Sequence, residues 1–313
     1  MSFDIRPFEA ERDALSLPNL WNVNLRSDWP VSPEVLARAT WAHESCHEGD
    51  LLVAVSDDLV LGFVATHPDR GGTGGNLSLL LVDAGHRNRG IGSALHDAAL
   101  AHLREAGARS IALGGGGAYL WPGVPLILPD TAPFFGRRGW RFIHECHDLT
   151  QQLAAYATTS TLRDPVAGIV VAPATETDGP GILAFEAREF PEWLPHYTRA
   201  VDLGDYGDLL VARVEGGVIL GVLLLYGAWS HPERNDVRWK TLLGHDAGAI
   251  GAVGVAAAAR GRGIGTALVA RASEILRARG VGTCFIGWVW AVDFYARLGY
   301  RPWRSYAMGE REV

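Results

Sequence analysis

Short apolar runs and stretches of helical periodicity alternate along this chain, and they do so twice in the same order. The runs NLSLLLVD and GAIGAVGV have the length and composition of buried strands, and each is followed by a stretch in which apolar residues recur every three or four positions. In the second stretch, Leu268, Ala272 and Leu276 share one face. Arg271 and Arg277 lie opposite. An amphipathic helix that packs through its apolar face is therefore predicted after each strand.

The two copies of this pattern form an internal repeat. HRNRGIGSAL at 86–95 and ARGRGIGTAL at 259–268 match at seven of ten positions. Gly107 and Gly280, which are separated by the same offset as the two copies, end the two helices as C′ glycines. Each half also begins with a strand and a polar helix start, and closes with a strand, a short aromatic helix and a last strand. The repeat predicts α/β domains, each with a mixed, mostly antiparallel sheet and helices on both faces.

Length and composition agree with two globular domains. The chain has 313 residues, of which 48% are hydrophobic and 20% charged, enough for two cores. The polar, threonine-rich segment YATTSTLRDP is the predicted linker. The predicted domains are residues 1–158 and 159–313.

Charge and hydropathy narrow the class of partner. The net charge of −7 argues against a nucleic-acid partner, which usually leaves a basic footprint. No apolar run approaches the roughly 20 residues that span a bilayer, and MSFDIRPFEAERD has no apolar signal core. We therefore expect a cytoplasmic protein, a monomer or homodimer, that binds neither nucleic acid nor membrane.

The three cysteines indicate neither disulfides nor zinc. Cys46, Cys146 and Cys284 are scattered without a CxxC pair. His144, Cys146 and His147 in HECHD could bind a metal, but polar residues at the end of a strand explain this cluster as well. No metal site is predicted.

The repeated turn carries the most specific chemistry in the sequence. In the second half it reads RGRGIGT, at 260–266, and it leads from a strand into a helix. Glycine lets a ligand approach the backbone closely, and the first turn of a helix presents unpaired N–H groups. The arginines add positive charge, so the turn predicts a cradle for a pyrophosphate. The spacing fits neither the G-x-G-x-x-G dinucleotide turn nor the P-loop; the alternative is a glycine-rich turn without a ligand.

Both copies of the turn resemble the R/Q-x-x-G-x-G/A signature of the GCN5-related N-acetyltransferase superfamily, and with their flanking elements the resemblance covers almost the whole chain. It implies two tandem domains of that fold, and acetyl-CoA or CoA as cofactor, bound at the turn and along the splayed strand before it. The residues implied in the second half are Val253, Val255, Arg260, Gly261, Arg262, Gly263, Ile264, Gly265 and Thr266. Those implied in the first half are Leu80, Val82, Arg87, Asn88, Arg89, Gly90, Ile91, Gly92 and Ser93.

Members of this superfamily often use a tyrosine of the closing helix as general acid, and here the two halves differ. Tyr295, four residues before Gly299, matches that position in the second half, whereas the first half has Phe135 four residues before Gly139. A phenol can donate a proton to a departing thiolate because their pKa values are close. The resemblance thus implies a catalytic second domain and a degenerate first one, and leaves open whether the first binds CoA. The alternative for Tyr295 is a core aromatic residue of an amphipathic helix.

A base is also expected, because an amine is mostly protonated at pH 7. Asp246 lies nearest to where the superfamily often places its carboxylate. The other candidates are His245, Glu186, Glu189 and Glu192, and some members use only ordered water.

The acceptor is expected beside two aromatic segments. The first half has an insertion before its closing helix, which contains Trp121 and makes the stretch between the bounding glycines longer than its counterpart in the second half. EAREFPEWLPHY in the second half contains Glu189, Glu192 and Trp193. Aromatic faces beside carboxylates suit a cationic polar ligand such as an amino sugar, although helix packing near the cleft explains them equally.

The tandem layout also resembles bacterial acetyltransferases that act on glucosamine and glucosaminides, which would imply N-acetylation of a sugar amine. Two alternatives stay open. One is another amine acceptor, such as an aminoglycoside, a peptide N-terminus or a thiol-cofactor precursor. The other is a non-catalytic scaffold or sensor that binds CoA.

Overall fold

The computed structural model describes residues 2–117, 119–158, 162, 168–214, 216–234 and 237–313 of the chain. Contacts divide the chain into two compact units. Unit 1 contains the residues up to Cys146 together with Arg304–Val313, and unit 2 contains His147–Trp303. This division differs from the predicted ranges 1–158 and 159–313, because the strand that ends each half is shared between the units. The predicted linker lies mostly outside the described residues.

Unit 1 is a sheet with helices packed on it. Its elements are β1 Asp4–Pro7, α1 Ala10–Asp13, α2 Ser16–Leu25, α3 Pro33–Ala39, β2 Leu51–Ser56, β3 Leu59–Pro68, β4 Gly74–Val82, α4 Ile91–Glu105, β5 Ser110–Leu113, β6 Val124–Pro125 and α5 Thr131–Gly136. Strands β1 to β5 lie side by side in chain order, and only the pair β4–β5 is parallel. The last residues of the chain run antiparallel beside β5, with Glu310 opposite Ala112.

The helix after the repeated turn forms the centre of the unit 1 core. Leu95, Ala99 and Leu103 on one face of α4 are fully buried, and α4 packs on β3 and β4. Gly107 follows the helix with a φ of +95°, as the predicted C′ glycine. The helical periodicity of the sequence thus gives the face that packs on the sheet.

Unit 2 repeats the arrangement. Its elements are the part of β7 Arg141–Gln152 from His147 onward, β8 Ile169–Pro173, α6 Gly179–Glu189, α7 Leu194–Asp202, β9 Leu209–Val214, β10 Ile219–Tyr226, α8 Lys240–Leu243, β11 Gly248–Val255, α9 Ile264–Ala278, β12 Thr283–Val289, α10 Val292–Ala296 and the start of β13 Arg301–Glu312. The strand order is β7-β12-β11-β10-β9-β8, in which only β11–β12 is parallel. The predicted apolar face of α9 is buried, since Leu268, Ala272 and Leu276 have no exposed surface.

The predicted fold class is confirmed by both units. Each is a mixed α/β sheet with one parallel pair of strands among antiparallel ones. None of the helices in the described part of the chain combines the length and the apolar character needed to cross a bilayer.

In each unit the parallel pair separates before its first strand ends. The ladder between β11 and β12 ends at Ala249 opposite Phe285, although β11 continues to Val255. In unit 1 the ladder between β4 and β5 ends at Leu77, and β4 continues to Val82. Each unit therefore has a gap along the second half of the strand that leads to the repeated turn.

A β-bulge lies in the same stretch of each strand. The register between β10 and β11 shifts where Ala252 adopts a φ of +47°. The register between β3 and β4 shifts at Ser78. A bulge bends its strand and increases its twist, which fits the separation of β11 from β12. In unit 1 the ladder ends where β5 itself ends, at Leu113 opposite Leu77.

Candidate active site

The repeated turn of unit 2 is open to a ligand. Gly261 and Gly263 have φ of +78° and +74°, where glycine is unstrained. A Cβ built on either would meet no other described atom within 4 Å, so no side chain of the described residues fills the turn. Gly263 is the N-cap of α9, whose first N–H groups have no acceptor within the helix. The turn therefore offers the shape and the donors that an anion needs.

The same hydrogen bond fixes an arginine at the start of each turn. Arg260 Nε donates to the carbonyl oxygen of Val255 at 3.2 Å. Arg87 Nε donates to the carbonyl oxygen of Val82 at 3.2 Å. Both arginines are exposed, so each places a positive charge at the end of the splayed strand where a ligand can reach it.

Unit 1 keeps the turn with one informative substitution. Asn88 stands where unit 2 has Gly261, and it adopts a φ of +60°, which asparagine tolerates better than most residues. A cavity of about 580 Å³ adjoins this turn and the splayed end of β4. The predicted residues that line it are Leu80, Val82, Arg87, Asn88, Gly90, Gly92, Ser93 and, from the insertion, Trp121. The structure thus brings most of the predicted cofactor residues of unit 1 around one space.

Three of the predicted cofactor residues do not present side chains to the turn. Ile91 and Ile264 are 2% and 1% exposed and pack into the cores, so only their backbone N–H groups can meet a ligand. Thr266 is also buried. Arg89 and Arg262 are exposed on the turns, and Arg89 does not line the unit 1 cavity.

Arg138 and Phe134 line the unit 1 cavity and were not predicted from the sequence. Arg138 Nη2 donates to Ser93 Oγ at 2.5 Å, and the Arg138 guanidinium lies 3.7 Å from the centre of the Phe134 ring. Arg138 adds a positive charge to the cavity, which Arg87 and Arg137 also line. The repeat could not reveal Arg138, because unit 2 has a leucine at the corresponding position. Arg138 is three positions after Phe135, and Leu298 is three positions after Tyr295.

The closing helix of each unit packs against the first turn of the preceding helix. A Cβ on Gly265 would lie 3.3 Å from Phe294, and a Cβ on Gly92 would lie 3.5 Å from Phe134. These glycines allow the close approach of α10 to α9 and of α5 to α4. Phe294, the residue before Tyr295, therefore packs beside the first turn of α9.

Tyr295 is half-buried beside the aromatic rings of Phe294 and Tyr300, at 4.8 and 6.2 Å between ring centres. Burial raises the pKa of Tyr295 to about 12, because a phenolate is poorly solvated there. Phe135, its counterpart in unit 1, is buried and lines the apolar part of the cavity. The two halves therefore differ at this position as the sequence predicts.

Asp246, the predicted base, lies apart from Tyr295. It is exposed and precedes β11, where its carbonyl oxygen accepts the Gly282 N–H at 3.1 Å just before β12. Tyr295 follows the other end of β12, and the two strands are parallel. At about 3.3 Å per residue, the seven positions from Asp246 to Val253 cover roughly 23 Å. The structure therefore does not bring Asp246, or the neighbouring exposed His245, to the splayed end of β11.

Glu186 occupies a different position from the other candidate acids. Its side chain on α6 has no exposed surface, and neither carboxylate oxygen has a hydrogen-bond partner among the described residues. Burial, followed by repulsion from Glu192, raises the pKa of Glu186 to about 8. In unit 1, α2 has no acidic residue and buries Trp21 instead.

The predicted acceptor residues of unit 2 divide between two places. Glu189 Oε2 accepts the Ala257 N–H at 3.2 Å, which places Glu189 beside the repeated turn. Glu192 is exposed in the segment between α6 and α7. Trp193 stacks on Phe190, with 4.9 Å between ring centres and 17° between planes.

Trp121, the fourth predicted acceptor residue, belongs to unit 1. Its ring lies 4.9 Å from that of Trp21 and 5.5 Å from that of Trp29. Trp121 lines the cavity of unit 1, and its buried Nε1 has no partner among the described residues. Trp121 therefore contacts whatever fills that cavity.

The HECHD segment is part of a strand and of the core. Cys146 is fully buried, with its Sγ 3.3 Å from Met308 Sδ. Within the described ranges, no three His, Cys, Asp or Glu side chains are arranged to hold a metal ion.

Comparisons with known proteins agree with this geometry. The sequence model of the acetyltransferase (GNAT) family matches residues 15–116 and 180–300, one segment in each half. Among solved structures, a GCN5-related glucosamine N-acetyltransferase region of a fungal multi-domain GH3 beta-N-acetylglucosaminidase is 34% identical, with a TM-score of 0.91 and 99% of this chain covered. This chain spans 38% of the length of that protein.

Two further structures are similar in fold. A GCN5-related N-acetyltransferase from Sphaerobacter thermophilus is 18% identical, with a TM-score of 0.74, covering 99% of this chain and 95% of that one. A tandem GNAT protein from the clavulanic acid biosynthesis pathway is 18% identical, with a TM-score of 0.70, covering 99% of this chain and 98% of that one. A search of curated protein sequences gives no match.

Proposed function

The chain belongs to the acetyltransferase (GNAT) family, and on that premise we propose that it transfers an acetyl group from acetyl-CoA to the primary amine of a small molecule. Unit 2 carries the reaction. The observation that carries this proposal is the open glycine and arginine turn at the end of a splayed strand. Tyr295 follows Phe294, which packs beside the first turn of the helix after it. Unit 1 has the turn but lacks the phenol.

The residues of unit 2 fit the proposed cofactor. Gly261, Gly263 and the first N–H groups of α9 would hold the pyrophosphate, and Arg260 and Arg262 would neutralise its charge. The separated part of β11 would receive the pantetheine arm. When bound, acetyl-CoA supplies the acetyl group as an activated thioester.

Tyr295 holds a proton at the place where a thiolate leaves. Because its pKa is about 12, Tyr295 stays protonated throughout the neutral range, so its proton is present when the thiolate leaves. Burial also makes this phenol a weaker acid than a free one, so the transfer depends on the close approach of the thiolate. The opposite requirement applies to the acceptor, which must lose a proton before its nitrogen can attack. Holding both reactants in one cleft removes much of the entropic barrier.

The acceptor that we propose is an amino sugar such as glucosamine. The support is the 34% identity to a glucosamine N-acetyltransferase region across almost the whole chain. The carboxylates and stacked aromatic rings of the segment between α6 and α7 are also suited to a cationic sugar.

The test is an assay of thiol release with the purified chain, acetyl-CoA and a panel of amines. The panel contains glucosamine, a glucosaminide, an aminoglycoside, a peptide with a free N-terminus and a thiol-cofactor precursor. We expect the highest kcat/KM with glucosamine or the glucosaminide. A higher value with another amine would replace the proposed acceptor, and no release with any amine would reject the enzymatic function in favour of a CoA-binding scaffold.

We further propose that unit 1 binds CoA without turnover. Titration calorimetry of CoA into the protein should then give about two sites per chain. Arg87→Glu and Arg260→Glu, the same charge reversal in the two turns, should each leave about one site, because each reverses the charge that faces the diphosphate. If the original protein binds one CoA per chain and Arg87→Glu does not change this, the unit 1 cavity has another use.

A further inference from the structure

Glu186 is a buried acid that the fold leaves without a partner. Its side chain has no exposed surface, and both carboxylate oxygens lack a hydrogen-bond partner among the described residues. Buried carboxylates in folded proteins are normally paired, since an unpaired one is destabilising in either protonation state. Such a site lacks a cation or a hydrogen-bond donor in the free protein. A ligand that supplies the missing group completes it.

Tyr197 places this acid beside the splayed strand. Tyr197 is fully buried, and its pKa is raised first by burial and then by the nearby Glu186. Its hydroxyl donates to the carbonyl oxygen of Ala252 at 2.6 Å, at the bulge where β11 has left β12. The helix α6 that carries Glu186 packs against α7, which carries Tyr197, and Phe190, one turn after Glu186, lies 2.6 Å from a Cβ built on Gly254 of β11. Glu186 therefore lies on the side of the unit where β11 has left β12.

Glu192 gives the buried acid a like-charged neighbour on the exposed side. Its repulsion adds to burial in raising the pKa of Glu186. The two acids are linked through Phe190, whose N–H donates to the Glu186 carbonyl oxygen at 2.8 Å. Trp193 follows Glu192 directly and stacks on Phe190. Two nearby carboxylates beside an aromatic stack are complementary to a cation.

Arg234, a buried positive charge of the same unit that lowers the pKa of Tyr197, is already paired. Its guanidinium lies 5.5 Å from the centre of the Tyr226 ring. Arg234 donates to Asp205 at 2.8 Å and to Asp208 at 3.2 Å. Arg234 is therefore held by its own carboxylates and does not neutralise Glu186.

We propose that Glu186 and Glu192 together recognise the ammonium group of the acceptor, with Glu192 at the exposed side and Glu186 as the group that takes up the proton. The proposal rests on the function proposed above and assigns its acceptor site. The proton passes to Glu186 directly or through one water. An N–H bond of the ammonium group breaks, and an O–H bond forms on Glu186. The electron pair of the broken bond stays on nitrogen as the lone pair that attacks, and Glu186 returns its proton to solvent after the product leaves.

The arrival of a cation has a measurable electrostatic consequence. An opposite charge favours the ionised form of a carboxyl group. Glu186, whose pKa is about 8 in the free protein, is mostly protonated at pH 7. It should therefore release its proton when an ammonium ion binds, before it accepts one from the amine in the reaction.

Binding of glucosamine to the CoA-saturated protein tests recognition without turnover. We expect glucosamine to raise Tm and to release protons at pH 7, measured by calorimetry in buffers of different ionisation enthalpy, whereas glucose, which lacks the ammonium group, should do neither. Glu186→Gln should lose both effects, and Glu176→Gln, an exposed acid of the same unit, should keep them. Binding of glucosamine to Glu186→Gln within about twofold of the original Kd, with the same proton release, would overturn the proposal.

The pH profile tests the proton uptake. With the original protein, kcat/KM for glucosamine should rise with pH until about 8, because the base must be ionised in the free enzyme. In Glu186→Gln this rise with pH should disappear, and kcat/KM at pH 8 should be about 100-fold lower than in the original protein. An unchanged profile would reject the role of Glu186 and leave the acetyltransferase function standing. If the original protein acetylates no amine, that function fails first, and the glucosamine binding test still decides the recognition site.

Thermal unfolding separates this role from a structural one. The folded-state pKa of Glu186 is raised from about 4.5 to about 8. As pH rises through this window, ionisation favours the unfolded state, and the resulting loss of folding stability is complete above pH 8. Glutamine does not ionise. Tm of Glu186→Gln should therefore exceed that of the original protein at pH 8 by more than it does at pH 5. A lower Tm at both pH values would show that Glu186 holds the fold together.

Discussion

Tyr295→Phe is expected to lower kcat by about 10²–10⁴-fold, while the Kd for acetyl-CoA changes by less than about twofold. The substitution removes only the hydroxyl group and keeps the ring that packs beside Phe294. The departing thiolate then leaves without a proton donor, whereas the turn that would bind the diphosphate is untouched. Stopped-flow measurement of thiol release and calorimetry of acetyl-CoA binding give the two quantities.

Tyr300→Phe is the matched control. Its ring is 6.2 Å from that of Tyr295, but its hydroxyl group is buried, 2.7 Å from Ser273 Oγ and 3.3 Å from Cys284 Sγ. Losing these bonds should lower Tm and change kcat by less than about threefold. If Tyr295→Phe leaves kcat unchanged, or if Tyr300→Phe reduces kcat as strongly, Tyr295 is not the general acid.

Gly263→Val is expected to weaken acetyl-CoA binding at unit 2 by more than about 100-fold and so to abolish turnover at ordinary substrate concentrations. A β-branched residue is strained at the φ of +74° that Gly263 adopts. Its side chain would also occupy the open space over the turn, where no described atom lies within 4 Å of a Cβ. Each effect acts on the backbone donors that face the ligand.

The repeat provides a control two residues earlier. Gly261 has a φ of +78°, and Asn88 has a φ of +60° at the same place in unit 1. Gly261→Asn should therefore leave the Kd for acetyl-CoA within a few-fold of its original value, because the other half of the chain already uses asparagine there. Equal losses from Gly261→Asn and Gly263→Val would mean that the conformation of the turn does not explain binding, and full affinity in Gly263→Val would mean that the ligand lies elsewhere.

The parts of the site that depend on local sequence could be predicted. A left-handed turn needs glycine or asparagine at fixed positions, and a buried helix face needs apolar residues every three or four positions. The two turns, the helices α4 and α9 and the difference between Tyr295 and Phe135 follow from such short patterns. Their repetition in one chain made each pattern more specific.

The parts of the site that depend on tertiary packing could not be predicted from the sequence. Asp246 was predicted as the base because it lies just before β11 in the sequence. It precedes the first residue of β11, whereas the splayed part is at the other end of that strand. The sequence shows Glu186 as one of three acids in a polar segment, and only packing reveals that it is buried without a partner among the described residues. Arg138 stands in the unit 1 cavity where the repeat has a leucine in unit 2, and no pattern marks such a position.

The compact units differ from the predicted ranges for a related reason. A linear repeat suggests that each half closes its own sheet, whereas pairing with β5 is made by the C-terminal end of the chain, within Arg304–Val313. Strand pairing between segments so far apart in the chain leaves no local signal in the sequence.

This pairing has a consequence for biosynthesis. A first domain commonly folds on the ribosome while the next one is still being made. Here the residues that pair with β5 are translated after all of unit 2, so the sheet of unit 1 remains without that strand until Arg304–Val313 have left the ribosome. A nascent chain stalled before Arg304 should therefore expose the edge of β5, and its first half should be more sensitive to protease than the same residues in the finished protein.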